Sequence, residues 1–124
     1  MDRLLIKTAT AGGSIAHRRF VKFSADGTIV QASAATDLIV GVSDCPNGAV
    51  TGERADYILL GIAEIDIGGT VARGAFVTSD ANGKAVAAAP ASGANAVTAG
   101  QMRVSAVGGD IAEIFVHTGM MQGA

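Results

Sequence analysis

The residues with intrinsic reactivity are few: one thiol, Cys45, two imidazoles, His17 and His117, and a strand-spaced acid pair, Glu64 and Asp66. A thiol becomes a nucleophile when a base beside it takes its proton, so Cys45 would need His17 or His117 close in space. The three residues match no zinc-site spacing, and a lone cysteine next to Pro46 in a loop reads as an inert thiol. Glu64 and Asp66 could together move a proton or hold a cation. The alternation Ala63-Glu64-Ile65-Asp66-Ile67 already accounts for them as the wet face of a strand whose other face is dry. His17, Arg18, Arg19 and Lys22 make a small basic run that could touch phosphate or an acidic partner. Strand alternation would divide it between two faces, so ordinary surface is the expectation.

The run from Gly74 to Gly83-Lys84 has the look of a phosphate loop but not its chemistry. Ala85 stands where a Ser or Thr would bind magnesium, and Asn82-Gly83 leads into a strand rather than a helix. Asn-Gly is instead a hairpin turn. Nucleophile, base and oxyanion donors cannot all be assigned. The expectation is a protein that is no enzyme, with no catalytic residue, no cofactor and no metal site.

The elements that would position these residues are short strands. Tyr57 to Val86 organises the chain: an alternating strand, the Gly68-Gly69 reversal, a second run at Ala75-Phe76-Val77, the Asp80-Ala81-Asn82-Gly83 hairpin, and Lys84-Ala85-Val86. Before it, Leu4–Thr10 reads as a first strand. Arg18–Ser24 and Thr28–Ala32 flank the Asp26-Gly27 hairpin signal, and Leu38–Ser43 is a buried strand. Ser33–Asp37 suits one helical turn, and Asp44–Gly52 a loop. After it, Ala87–Gly100 reads as a flexible, low-complexity connection, Gln101–Val107 as a strand, and Ile111–His117 as the last strand. Residues 118–124 are expected to be a mobile tail. The fold class is all-β: a small barrel or sandwich of short strands with Gly-rich turns and room for one short helix.

The chain of 124 residues suits a single domain, 1–124. Apolar residues are 49% and charged ones only 16%. Much of the apolar share is alanine, which adds little to a core, so the composition points to surface covered by a partner. A net charge of −2 and 4% aromatics argue against nucleic acid. No run reaches the length of a membrane span or a signal-peptide core. One cysteine excludes an intrachain disulfide. In the last strand, Ala112, Ile114 and Val116 alternate with Glu113, Phe115 and His117. If the first three face the core, Phe115 looks outward with His117, and an outward aromatic on a terminal strand marks a subunit contact.

The order of these signals is familiar. Arg18-Arg19-Phe20-Val21-Lys22 precedes Asp26-Gly27-Thr28-Ile29-Val30, Ile39-Val40-Gly41-Val42-Ser43 and Gly52-Glu53-Arg54-Ala55. Gly61-Ile62-Ala63-Glu64, Gly68-Gly69-Thr70-Val71-Ala72-Arg73-Gly74 and Val77 to Val86 follow. From Phe20 to Val116 this resembles the tailed-phage capsid decoration, or cement, proteins. Gly100-Gln101-Met102-Arg103-Val104 matches only in part the strand with which such proteins restate Gly41-Val42. The resemblance implies a structural protein on the capsid exterior of a virion assembled in the host cytoplasm. It also implies a homotrimer that clamps neighbouring major capsid proteins, with no reaction to perform. Residues 1–13 are then a candidate extended arm, and Arg3, Leu5, Phe115 and His117 the candidate protein-interaction residues. A second reading is a carrier of the lipoyl or biotinyl kind, or a small-ligand β module. Gly69 to Gly74 is similar to a turn in those barrels, and Lys84 sits at a hairpin, although Gly83 and Ala85 are poor neighbours for a modified lysine.

Overall fold

The computed structural model describes residues 3–90 and 92–122. Among them, every regular element is a strand: β1 (Arg3–Ala11), β2 (Phe20–Ala25), β3 (Thr28–Gln31), β4 (Ile39–Ser43), β5 (Arg54–Asp66), β6 (Phe76–Ser79), β7 (Ala85–Ala87), β8 (Asn95–Met102) and β9 (Ile111–Gln122). Asp26-Gly27 and Asn82-Gly83 turn the β2–β3 and β6–β7 hairpins, with both glycines at positive φ.

The strand order is β1-β3-β2-β4-β5-β9-β8-β6-β7, and β1 also pairs with β5. That extra pairing closes a five-stranded barrel. β1 runs parallel to β3 through Ala11–Ile29 and antiparallel to β5 through Lys7–Tyr57. Closure removes the exposed edges that short antiparallel strands otherwise leave. The remaining strands form a second unit on the far end of β5. There β5 pairs with β9, and the chain just beyond β5 returns to β7 through a parallel Ile67–Ala85 bridge. β5 therefore belongs to both units. It changes partner at Gly61, which is opposite Arg3 in β1 and Val116 in β9 and has φ +113, a backbone state that glycine adopts without strain.

The two units are repeats of one plan. A fixed step carries Ala11-Gly12-Gly13-Ser14-Ile15-Ala16 onto Ile67-Gly68-Gly69-Thr70-Val71-Ala72, and Phe20-Val21 onto Phe76-Val77. The bonds repeat with the residues. Gly12 N donates to Ile29 O and Gly68 N to Ala85 O, both at 2.8 Å. Ile15 N donates to Ala49 O at 2.8 Å and Val71 N to Ala106 O at 2.9 Å. Val50 N meets the Glu53 carboxylate at 2.9 Å, and Val107 N the Asp110 carboxylate at 3.0 Å. In β4 a methyl on Gly41 would press on the Ile58 carbonyl, and in β8 a methyl on Gly100 would press on the carbonyl of Phe115, the repeat mate of Ile58. The cores correspond as well. Ala11, Ile15, Val21, Ile29, Ala49, Ala55 and Tyr57 are buried in the first barrel, and Ile67, Val71, Val77, Ala85, Ala106, Ala112 and Ile114 in the second.

Several boundaries differ from those read in the sequence. Residues 3–11 of the expected arm are a barrel stave with partners on both sides, and residues 1–2 lie outside the described residues. The expected tail is strand through Gln122, because β8 continues alongside it in an Asn95–Gln122 rung; residues 123–124 lie outside the described residues. The low-complexity connection shrinks accordingly, since β8 begins at Asn95, and the strand expected over Gln101–Val107 ends at Met102. Ser33–Asp37 forms a turn, not a helix. The Asp37 carboxylate accepts the Ser33 and Ala34 amides at 2.8 and 3.1 Å and so offers the backbone a non-helical closure.

Candidate functional site

The reactive residues are built into the scaffold. His17 does approach Cys45, but its Nδ1 accepts the Cys45 backbone N–H at 3.1 Å. The thiol donates to the Asp56 carbonyl at 3.5 Å. Burial pushes the Cys45 thiol up, against the thiolate a nucleophile needs, and the charges of Asp56 and Asp44 push the same way. His117 is elsewhere, against Phe115 and Phe76. Among the described residues no three His, Cys, Asp or Glu side chains gather as a metal site would require.

Asp66 and the basic run explain each other, contrary to the expectation of independent surface, whereas Glu64 lies on the wet strand face as expected. Arg18 has φ +58, which breaks strand alternation. Both guanidiniums therefore reach one carboxylate: Arg18 Nε is 3.1 Å and Arg19 Nε 3.0 Å from the two oxygens of Asp66. Lys22 pairs with Asp37 at 3.0 Å. Each of these three cations is paired within the protein, two of them on one carboxylate, and Glu64 is left exposed, opposite Glu113. The clamp joins the two barrels. Arg19 Nη1 and Gln31 Nε2 also donate to Asn82 O at 2.9 and 2.8 Å, and Phe20 N to Gly83 O at 2.8 Å. These bonds pin the hairpin that carries Lys84, whereas a carrier lysine has to swing free at its tip.

What remains open is apolar. Phe115 faces outward as the alternation of β9 implies, with Ala112, Ile114 and Val116 buried beneath it. Its ring lies 5.3 Å from that of His117, and the Phe76 ring is 6.2 Å from the same imidazole. Phe76 on β6 was not singled out from the sequence. Leu5 is also exposed, but on the first barrel. There it lines an open depression with Lys7, Phe23, Val40, Tyr57 and Leu59, and Phe23 meets Tyr57 edge to face at 6.3 Å. Arg3 pairs with Gly61 through the backbone; its side chain lies outside the described residues. Of the four residues proposed for contacts, the structure thus groups Phe115 with His117 and sets Leu5 on a different surface.

No family model matches the chain, and no curated protein does. Among solved structures, the chain is similar to the N base of the head fibre protein gp8.5 of bacteriophage phi29. The TM-score is 0.66 at 18% identity, over 90% of this chain and 92% of that one. The likeness establishes a shared fold that spans both barrels.

Proposed function

We propose that the chain is a structural protein of a phage head, bound to the capsid exterior, where it stabilises junctions between major capsid proteins as a homotrimer. One observation carries the reading: the fold likeness to a phage head fibre base extends over nearly the whole of both chains. The capsid-decoration resemblance of Phe20–Val116 supports it independently of the coordinates. The buried thiol and the pairing of Arg18 and Arg19 with Asp66 engage these groups inside the protein, which is consistent with a structural role.

The mechanism needs no chemistry. A ligand that binds the expanded junction and not its precursor stabilises the expanded state by mass action, and many copies each add an increment. Exposed phenylalanines such as Phe76 and Phe115 suit such a contact. Co-sedimentation with heads assembled from the major capsid protein of its own phage tests this. Binding to expanded heads, absent with unexpanded ones, is the expected result. Failure to pellet with either would overturn the proposal.

A further inference from the structure

The first barrel packs on the second through outward-facing side chains, above all Phe20 of β2 and Ile58 of β5. Both are buried in the core cluster of the second barrel, at 0% and 3% exposure. The repeat supplies their counterparts on the second barrel, Phe76 and Phe115, and these are 40% and 37% exposed. The two anchor positions of that donor surface are thus displayed again on the second barrel, unused, with Gln101 standing between them where the first barrel has the buried Val42.

The receiving surface shows the converse. Ala63, Ala99, Ile114 and Val116 belong to the cluster that takes up Phe20 and Ile58. Their mates in the first barrel are Lys7, Val40, Tyr57 and Leu59, four of the six residues lining the open depression that also holds Leu5. Every chain therefore contains one completed barrel-to-barrel contact, one spare donor and one spare acceptor.

We propose that copies of this chain associate head to tail, with Phe76 and Phe115 of one copy seated in the Leu5–Leu59 depression of the next. The inference deepens the trimer of the proposed function by naming its surfaces, and rests on that reading only for the number of copies. Such a contact is heterologous: repeated by a rotation that closes, it makes a ring, and otherwise a filament. It is also weaker than its intramolecular model. Gly74 and Ala75 replace Arg18 and Arg19, and Thr10 replaces Asp66, so no ionic clamp forms. Lys7 in place of Ala63 lends its aliphatic stem to the depression and keeps a cation at the rim.

The test is size-exclusion chromatography with light scattering on the full chain and two double variants. The donor variant is Phe76→Asp with Phe115→Asp; the acceptor variant is Leu5→Asp with Phe23→Asp. All four positions are exposed, and circular dichroism verifies folding. The wild type is expected to show concentration-dependent oligomers and each variant alone the monomer mass. An equimolar mixture should give a one-to-one dimer, since one intact donor and one intact acceptor remain. A wild type that stays monomeric up to about 1 mM, the weak end of specific association, overturns the proposal. So do variants that still oligomerise, or a mixture that does not pair. If a variant fails to fold, Phe115→Cys and Leu5→Cys proteins are mixed under mild oxidation. The heterodisulfide should exceed the two homodisulfides combined, and the statistical mixture, in which it only equals their sum, is the overturning result. Shell binding is read separately by co-sedimentation, so loss of self-association and loss of the capsid role are distinguishable.

Discussion

Across the parallel rung that closes each barrel, the first places Ala11 opposite Ile29 and the second Ile67 opposite Ala85. The small and the large residue have changed sides, yet the 2.8 Å amide bond beside each rung is the same. The turns and backbone ladder therefore define the unit, and the core asks only for a combined volume. Outside the cores the barrels diverge. The first has its outward face covered and its mouth open, and the second the reverse. Position in the chain, not fold, decides which surface is left for partners.

The sharpest way to break this comparison is at the exchanged pair. Ile67→Ala would leave alanine facing alanine, with an expected loss of about 2–5 kcal/mol in denaturant unfolding. Adding Ala85→Ile rebuilds the first barrel's arrangement inside the second and should recover most of the loss. A double variant no better than the sum of its singles would mean the rungs are not equivalent. Next in size is Gly61→Ala, where a Cβ at φ +113 should cost about 1–3 kcal/mol. An unchanged melting temperature would show that β5 does not turn from one barrel to the other there. Asp66→Ala, which leaves two partly buried guanidiniums without their carboxylate, should cost about 1–2 kcal/mol. Asp66→Glu should restore part of it, and no loss would show that apolar packing alone joins the barrels.

The smallest expected effect is with acid. Burial pushes the Asp37 carboxyl up, but the Ser33 amide, Lys22 and the Ala34 amide outweigh it and hold it below its ordinary value. The Thr8 hydroxyl, helped by Arg54, does the same for Asp56. Depressed carboxylates stabilise the fold above their unfolded pKa, and that support is lost as pH falls through the folded value, so below about pH 4. Both lie in the first barrel. Its amides should lose hydrogen-exchange protection before those of the second, and Asp37→Asn should reduce the difference. Equal loss in both barrels would remove this asymmetry.

What could be read in the sequence was local. Asp26-Gly27 and Asn82-Gly83 named their hairpins, and alternation in β9 aimed Phe115 outward. Pairings set by distant residues could not be read that way. Nothing near Leu4 to Thr10 shows that β5 lies beside it, and nothing near Thr118 shows β8. The clamp escaped because alternation assumes a regular strand, and Arg18 is not in one. The repeat was legible in Gly12-Gly13-Ser14-Ile15-Ala16 and Gly68-Gly69-Thr70-Val71-Ala72. It was obscured by connections of unequal length and by core residues that exchange size between mates.

A strand common to both barrels leaves no linker to stretch between them. Tension applied to one half passes along β5 into the other with no slack to take up. The molecule should answer such a load as a single stiff strut, and a cut at Gly61 would sever the one stave that the two barrels share.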